Sequence, residues 1–163
     1  MKNINRLTVI GVMSGTSLDG IDIVKCQFNK TNKWNYKIEK GKTVKYSKKW
    51  KKTLSNLHLK SKKEINKINI EYGRLIGNEI NKFISDKNSK IDLIASHGHT
   101  IFHKPEKKFT LQIGDGQTIS NITKSTTVSN FRELDVSLNG QGAPLVPIGD
   151  LHLFSKYKYC LNL

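Results

Sequence analysis

Apolar positions recur along this chain with two different periods, and the change of period marks its elements. Residues 7–13 and 21–28 are apolar runs on either side of a polar, glycine-bearing turn, which predicts a hairpin of two strands. Trp34, Tyr36, Ile38 and Val44 stand at even positions and predict a third strand over 34–46. The period then lengthens. Ser61 and Glu64 have capping-box spacing, and Ile65, Ile68, Tyr72, Leu75, Ile76, Ile80, Phe83 and Ile84 follow at helical intervals. A shorter helix is expected before them, over 48–57. Apolar runs at 91–95 and 109–113 read as short strands, and 115–123 as a helix leading to a strand at 126–128. A glycine-rich loop through Gly142, a helix over 144–154 and a last strand starting at Tyr157 complete the pattern.

Three strands, a helix, then alternating strands and helices is the order of a ribonuclease-H-like α/β layer. The expected fold is a mixed sheet with helices on both faces. The chain has 163 residues, which suits one domain. Its sequence stops within the expected last strand, so the domain is expected to be incomplete. No apolar run approaches the roughly 18 residues of a membrane span. Lys2 and Arg6 precede an apolar stretch that contains Gly11 and lacks a small-x-small cleavage site, so no secretory signal is expected and a cytoplasmic chain is. Cys26 and Cys160 form neither a disulfide framework nor a metal-ligand set, and they fit a reducing compartment.

Charge changes the picture less than its size suggests. The formal net charge is +15, but residues 30–67 hold 14 Lys against Glu39 and Glu64, so one segment carries most of it. A nucleic-acid footprint would cluster in this way, yet it would ordinarily include arginine for bidentate phosphate contacts. Here 25 of the 28 basic residues are lysine, and Lys, Asn and Ile make up 58 residues, a bias expected of an AT-rich coding background. A solvated lysine face is the expected reading, with a nucleic-acid or anionic-surface module as the alternative.

Candidate chemistry sits in the glycine-rich turns. The first is Gly11-Val-Met-Ser-Gly-Thr-Ser-Leu-Asp-Gly-Ile-Asp22. Gly15 and Gly20 have the spacing of a phosphate loop, but Ile21 occupies the lysine position and the turn joins two strands. Its backbone N–H groups and the Thr16 and Ser17 hydroxyls could hold phosphate, with Asp19 and Asp22 orienting Mg²⁺ or its waters. An ordinary polar hairpin turn is the plain alternative. The second is Ser96-His-Gly-His-Thr-Ile-Phe-His103, after an apolar strand. Its three histidines lack a fixed-spacing partner for zinc, so no metal set is assigned. A strand-end loop that hydrogen-bonds a substrate is the functional reading, and a loop with surface histidines the plain one. The third comprises Leu111-Gln-Ile-Gly-Asp115, Asn130-Phe-Arg-Glu-Leu-Asp135 and Asn139-Gly-Gln-Gly-Ala-Pro-Leu-Val-Pro147. Arg132 is one of three arginines in a lysine-saturated chain, which suggests a planar fork on a carboxylate or phosphate, or a salt bridge to Asp135. Gly140 and Gly142 would let backbone approach a ligand closely.

Taken jointly, in this order and at these separations, the motifs closely resemble the bacterial anhydro-N-acetylmuramic acid kinases. That resemblance implies a fold of the hexokinase–actin–Hsp70 type, with ATP between two ribonuclease-H-like domains. It implies an enzyme that opens the 1,6-anhydro ring with water and phosphorylates O6, giving N-acetylmuramic acid 6-phosphate in peptidoglycan recycling. Gly15, Thr16, Ser17, Leu18, Asp19, Gly20, Ile21 and Asp22 would then cradle the phosphates of ATP with Mg²⁺. His97, Gly98, His99, Thr100, Gln112, Gly114, Asp115, Phe131, Arg132, Asp135, Gln141 and Gly142 would face the sugar or shape its pocket. His99 stands where many relatives have glutamine. Similar proteins are longer, and the aspartate expected as catalytic base belongs to their second domain, beyond Leu163. A separately encoded second half is one expected partner, and intact relatives are expected to form homo-oligomers.

Overall fold

The computed structural model describes residues 6–84 and 90–161. Strands β1 (Arg6–Met13), β2 (Gly20–Lys30) and β3 (Trp34–Lys45) follow one another as antiparallel neighbours, as their apolar runs predict. Helix α1 (Lys48–Ser55) starts at Ser47, whose hydroxyl accepts the Trp50 N–H. Helix α2 (Lys62–Phe83) opens on the complete Ser61–Glu64 capping box. Strand β4 (Leu93–Ser96) returns parallel to β1, pairing Val9 with Leu93 and Val12 with Ser96. Strands β5 (His99–Lys104) and β6 (Phe109–Ile113) form a separate antiparallel pair. Helix α3 (Gly116–Thr123) leads to β7 (Thr127–Val128), which adds parallel to β4. Helices α4 (Phe131–Ser137) and α5 (Leu145–Gly149) follow, and the chain continues through a wider π-helical turn, Asp150–Phe154.

The main sheet therefore has five strands in the order β3-β2-β1-β4-β7, antiparallel on one side of β1 and parallel on the other. One face is the core. Ile10, Val12, Ile21, Ile23 and Ile94 meet Leu54, Ile65, Tyr72, Ile76, Ile80 and Ile119 from the helices. Burial of these side chains from water is the main stabilising contribution. Gly73 and Gly77 bring α2 against α3: a Cβ on Gly73 would lie 2.8 Å from Asp115 O, and one on Gly77 3.0 Å from Ile122.

Several expectations are corrected. Helices α1 to α3 cover one face of the sheet. The other face is met by α4, α5 and the segment after them, but incompletely: Phe131 and Leu145 line a groove of about 740 Å³ over β1 and β2, and Phe154 packs edge-on against Tyr36 of β3 at 6.3 Å. Of the even positions of β3, Val44 packs against the core opposite Ile21, whereas beyond the irregularity in the β2–β3 pairing at Lys25 and Cys26 the side chains of Tyr36 and Ile38 are exposed, Ile38 to 60%. The helix expected over 144–154 is a five-residue α-helix followed by a π-helical turn, in a segment rich in exposed apolar side chains. Residues 157–161 form no strand; residues 162–163, also placed in that strand, lie outside the described residues, as does Lys2. The stretch after Ser96, expected as a strand-end loop with surface histidines as the plain alternative, is mostly strand β5. His97 and His99 are 7% and 3% exposed.

Candidate functional site

Strands β1, β4 and β7 run parallel and end at one edge, so the turns that leave them gather there. That edge is where ligands bind in open α/β sheets. Ser14–Asp19 leave β1, His97 and Gly98 leave β4, and Asn130 to Arg132 follow β7.

The first turn is anchored at its ends and open in the middle. Ser14 and Gly20 are buried, whereas Thr16, Ser17 and Asp19 are exposed. Leu18 adopts φ +59° and its N–H reaches Gly15 O at 3.4 Å. Asp22 is exposed on the open sheet face and accepts the Thr43 hydroxyl at 2.5 Å. Ile21 points the opposite way, fully buried in the core, so its side chain supports the turn from beneath. Exposed hydroxyls and the Asp19 carboxylate on a braced turn, with the Asp22 carboxylate near the start of β2, suit phosphate and hydrated Mg²⁺.

A second constellation forms around Arg132 on α4. Its Nε–H donates to His97 Nε2 at 2.8 Å, and its Nη1 donates to Gly142 O at 2.6 Å. The Gly142 N–H donates to Asp135 Oδ2 at 2.6 Å, and the Gly140 N–H to Asp135 O at 2.7 Å. Asp135 thus ties the glycine loop to α4, and the loop returns a carbonyl to Arg132. The salt bridge considered between Arg132 and Asp135 is replaced by this arrangement. Gly140 is required because a Cβ there would overlap the Asp135 carboxylate. Gly142, at φ +70°, leaves no room beside Val136 and His103. Gln141 between them is exposed.

His97 accepts from Arg132 through Nε2, so its proton sits on Nδ1, which lies 3.0 Å from Gly98 O. His99 has the opposite tautomer. Its Nδ1 is buried without a partner, and it bonds the Gly15 backbone, which leaves Nε2 as the donor to Gly15 O. Burial is the main cause holding both histidines below the ordinary histidine range, aided by Arg132 at His97 and by His97 at His99. His103 is exposed and contacts Thr110 Oγ1.

The predicted residues thus fall into three neighbouring places. Asp22, His97 and Phe131 line the 740 Å³ groove with Met13 and Leu145. Thr16, His99 and Thr100 line a smaller cavity of about 170 Å³ with Ser55 and His58. Gln112, Gly114 and Asp115 lie in a third depression, of about 310 Å³, beside Asn69, Asn130 and Glu133. There Gln112 Nε2 donates to Thr110 Oγ1 at 2.7 Å, and Asp115 caps α3 through Thr118 N–H at 2.9 Å. Sequence reasoning missed Asn69, whose Oδ1 accepts the Gly114 N–H at 2.7 Å, and the Tyr46 and Tyr72 hydroxyls beneath the first turn. Both tyrosines read as apolar positions of the pattern, which hides a hydroxyl. Four lysines, Lys49, Lys52, Lys60 and Lys67, line a groove between α1 and α2 that shares no residue with these places. Among the described residues no helix is long and apolar enough to cross a membrane.

The sequence model of the family described as anhydro-N-acetylmuramic acid kinase matches residues 7–162. Proteins of that name from Acinetobacter baylyi and Shewanella pealeana are 40% and 36% identical to this chain, over 94% and 92% of it. One from Bacillus cereus strain G9842 is 35% identical over 90% of the chain. The matched region makes up 42%, 42% and 41% of those relatives, so the chain spans about two fifths of their length, their N-terminal part. With the family model covering nearly every residue, the chain belongs to the anhydro-N-acetylmuramic acid kinase family.

Proposed function

We propose that this chain is the N-terminal, ligand-holding domain of an ATP-dependent kinase that opens 1,6-anhydro-N-acetylmuramic acid with water and phosphorylates O6. The product is N-acetylmuramic acid 6-phosphate, a reaction of peptidoglycan recycling in the cytoplasm. The observation that carries this reading is the meeting, at one sheet edge, of an open, hydroxyl-bearing turn with the His97–Arg132–Gly142 constellation. The strand order, with β1 antiparallel to β2 and parallel to β4, supports a ribonuclease-H-like domain of the hexokinase–actin–Hsp70 type. A second domain, corresponding to the rest of the relatives' length, completes the cleft in this reading.

In this mechanism Gly15 to Gly20 hold the nucleotide phosphates through backbone N–H groups and the Thr16 and Ser17 hydroxyls. Asp19 and Asp22 would hold Mg²⁺ through its waters. When bound, ATP supplies the transferred phosphoryl group and Mg²⁺ neutralises its charge. Arg132 is held in one plane by His97 and Gly142 O, and its other N–H groups orient a carboxylate or phosphate of the reactants. His99, Thr100, Gln112 and Asp115 shape the sugar pocket from β5 and β6. Attack of water on the anomeric carbon needs a carboxylate base, which belongs to the second domain.

The test is complementation. The chain is mixed with the remaining length of the Acinetobacter baylyi relative, and phosphorylation of the anhydro sugar is followed by ³¹P NMR. Product is expected from the mixture and from neither part alone. Turnover by this chain alone would overturn the placement of the base, and no turnover from two folded parts would overturn the kinase reading.

A further inference from the structure

The backbone ladder between β1 and β4 ends where His97 N donates to Val12 O at 3.0 Å. Beyond that point side chains continue the connection, in both directions. The Ser14 hydroxyl donates to Gly98 O at 3.0 Å, and His99 donates back to Gly15 O. Residues 14 and 15 of one turn are thus cross-linked to 98 and 99 of the other. Gly98 O receives a second contact, from His97 Nδ1 at 3.0 Å, and His97 is itself held by Arg132.

On its other side Ser14 meets two buried tyrosines. The Tyr46 and Tyr72 hydroxyls are hydrogen-bonded to each other, and both contact the Ser14 side chain. The Ser14 hydroxyl thus stands between the tyrosine pair and Gly98 O, and it donates to that carbonyl at 3.0 Å. Tyr46 also donates its backbone N–H to Asp19 O, so it fixes the far end of the same turn. Tyr72 lies on α2, fully buried, with its ring edge-on to His99 at 6.4 Å.

We propose that Ser14, Tyr46 and Tyr72 are positioning residues, a buried clasp that holds the phosphate turn at a fixed distance from the His97–Arg132 side of the site. This rests on the kinase reading for its purpose, since phosphoryl transfer is governed by how two ligands are placed relative to one another. None of the three hydroxyls needs to touch a ligand. The path from Arg132 through His97, Gly98 O and Ser14 to the tyrosines joins the two turns as one hydrogen-bonded unit, in surroundings where an unmade bond is costly.

Two readouts test it. In the ¹⁵N-labelled chain, long-range ¹H–¹⁵N spectra are expected to show His97 with its proton on Nδ1 and His99 with its proton on Nε2. Tyr72→Phe and Ser14→Ala each remove one hydroxyl while keeping the surrounding shape. Each is expected to mix the His97 tautomers and to speed amide exchange at Gly15 and His99 about tenfold or more, with unchanged circular dichroism. Ser14→Thr, which keeps the hydroxyl, is expected to retain the parent spectra. In the complemented enzyme Tyr72→Phe is expected to lower kcat about tenfold, with each KM changing less than about threefold. Unchanged tautomers and exchange in both variants would overturn the clasp, and an unchanged kcat would overturn its positioning role. Should the complemented enzyme be inactive while the spectra behave as described, the kinase reading fails and the clasp stands.

Discussion

Arg132 donates its Nε–H to His97 Nε2 at 2.8 Å, so the acceptor nitrogen must carry no proton of its own. A fixed guanidinium on one side and burial around the ring both favour the neutral imidazole. His99, buried with a bare Nδ1, has the same preference. Protonating either ring would create an N–H donor without an acceptor, beside a positive charge in the case of His97.

A pH dependence follows, with a definite sign. Both histidines titrate below the ordinary range in the folded chain and near pH 6.5 in the unfolded one. Between those values the unfolded chain binds more protons, so acidification favours unfolding. This contribution is fully present above about pH 6.5 and is lost as pH falls through the depressed folded values. Thermal melts from neutral to mildly acidic pH are expected to show a falling Tm, with a shallower slope in His99→Gln. An equal slope in that variant would mean that His99 does not contribute.

Gly98 is expected to tolerate no side chain. It sits at φ +74°, and a Cβ there would lie 2.3 Å from Ile113 O, a backbone atom that cannot rotate away. Gly98→Ala should cost about 1–3 kcal/mol from backbone strain alone, and more through displacement of β6. Gly41, where an added Cβ would meet nothing within 4 Å, is the internal control. Gly41→Ala should change stability by less than about 0.5 kcal/mol. Urea midpoints of the two variants measure the difference.

Gly73 sets helix propensity against packing. Alanine is intrinsically better than glycine inside a helix by about 0.8–1 kcal/mol. In α2, however, the new methyl would lie 2.8 Å from Asp115 O and 3.1 Å from Asp115 N. That backbone carries the Asp115 cap of α3 and is held by Asn69, so it has little freedom to retreat. Gly73→Ala is expected to lower Tm despite its propensity gain, and to disturb the Gly114 and Thr118 amide resonances. A raised Tm would show that α3 can shift.

These cases show which layers of the molecule are readable from sequence. The three-strand opening and α2 are plain because period and capping chemistry agree, down to the reciprocal Ser61–Glu64 bonds. Strand β5 is hidden because Gly98, at positive φ just before it, reads as a loop signal, whereas the turn is a single tight one whose glycine lets the Ile113 carbonyl of β6 approach. Helix α4 gives no start signal, since Asn130 takes a left-handed conformation and makes no side-chain cap. The candidate site divides in the same way. Arg132 stands out by composition, and its glycines by spacing, but the fact that Asp135 serves Gly142 and not Arg132 depends on a tertiary turn. Tyr46 and Tyr72 contribute through hydroxyls that a hydrophobic pattern cannot register.

Arg132 itself yields the sharpest substitution, because the chain's own composition makes lysine the natural replacement. Arg132→Lys keeps the charge and much of the stem. A guanidinium reaches His97 Nε2 and Gly142 O simultaneously because Nε and Nη1 are rigidly spaced in one plane. A single ammonium has no such fork, so one of the two acceptors loses its donor. The expected result in the isolated chain is a folded protein in which the His97 ring loses its single tautomer or the 138–142 loop becomes more sensitive to protease. Stability should fall by about 0.5–1.5 kcal/mol for the lost hydrogen bond. In the complemented enzyme kcat/KM for the sugar should drop about tenfold or more, with KM for ATP little changed. If lysine gives parent spectra, parent protease resistance and parent kcat/KM, the two Arg132 hydrogen bonds are not what holds the site together.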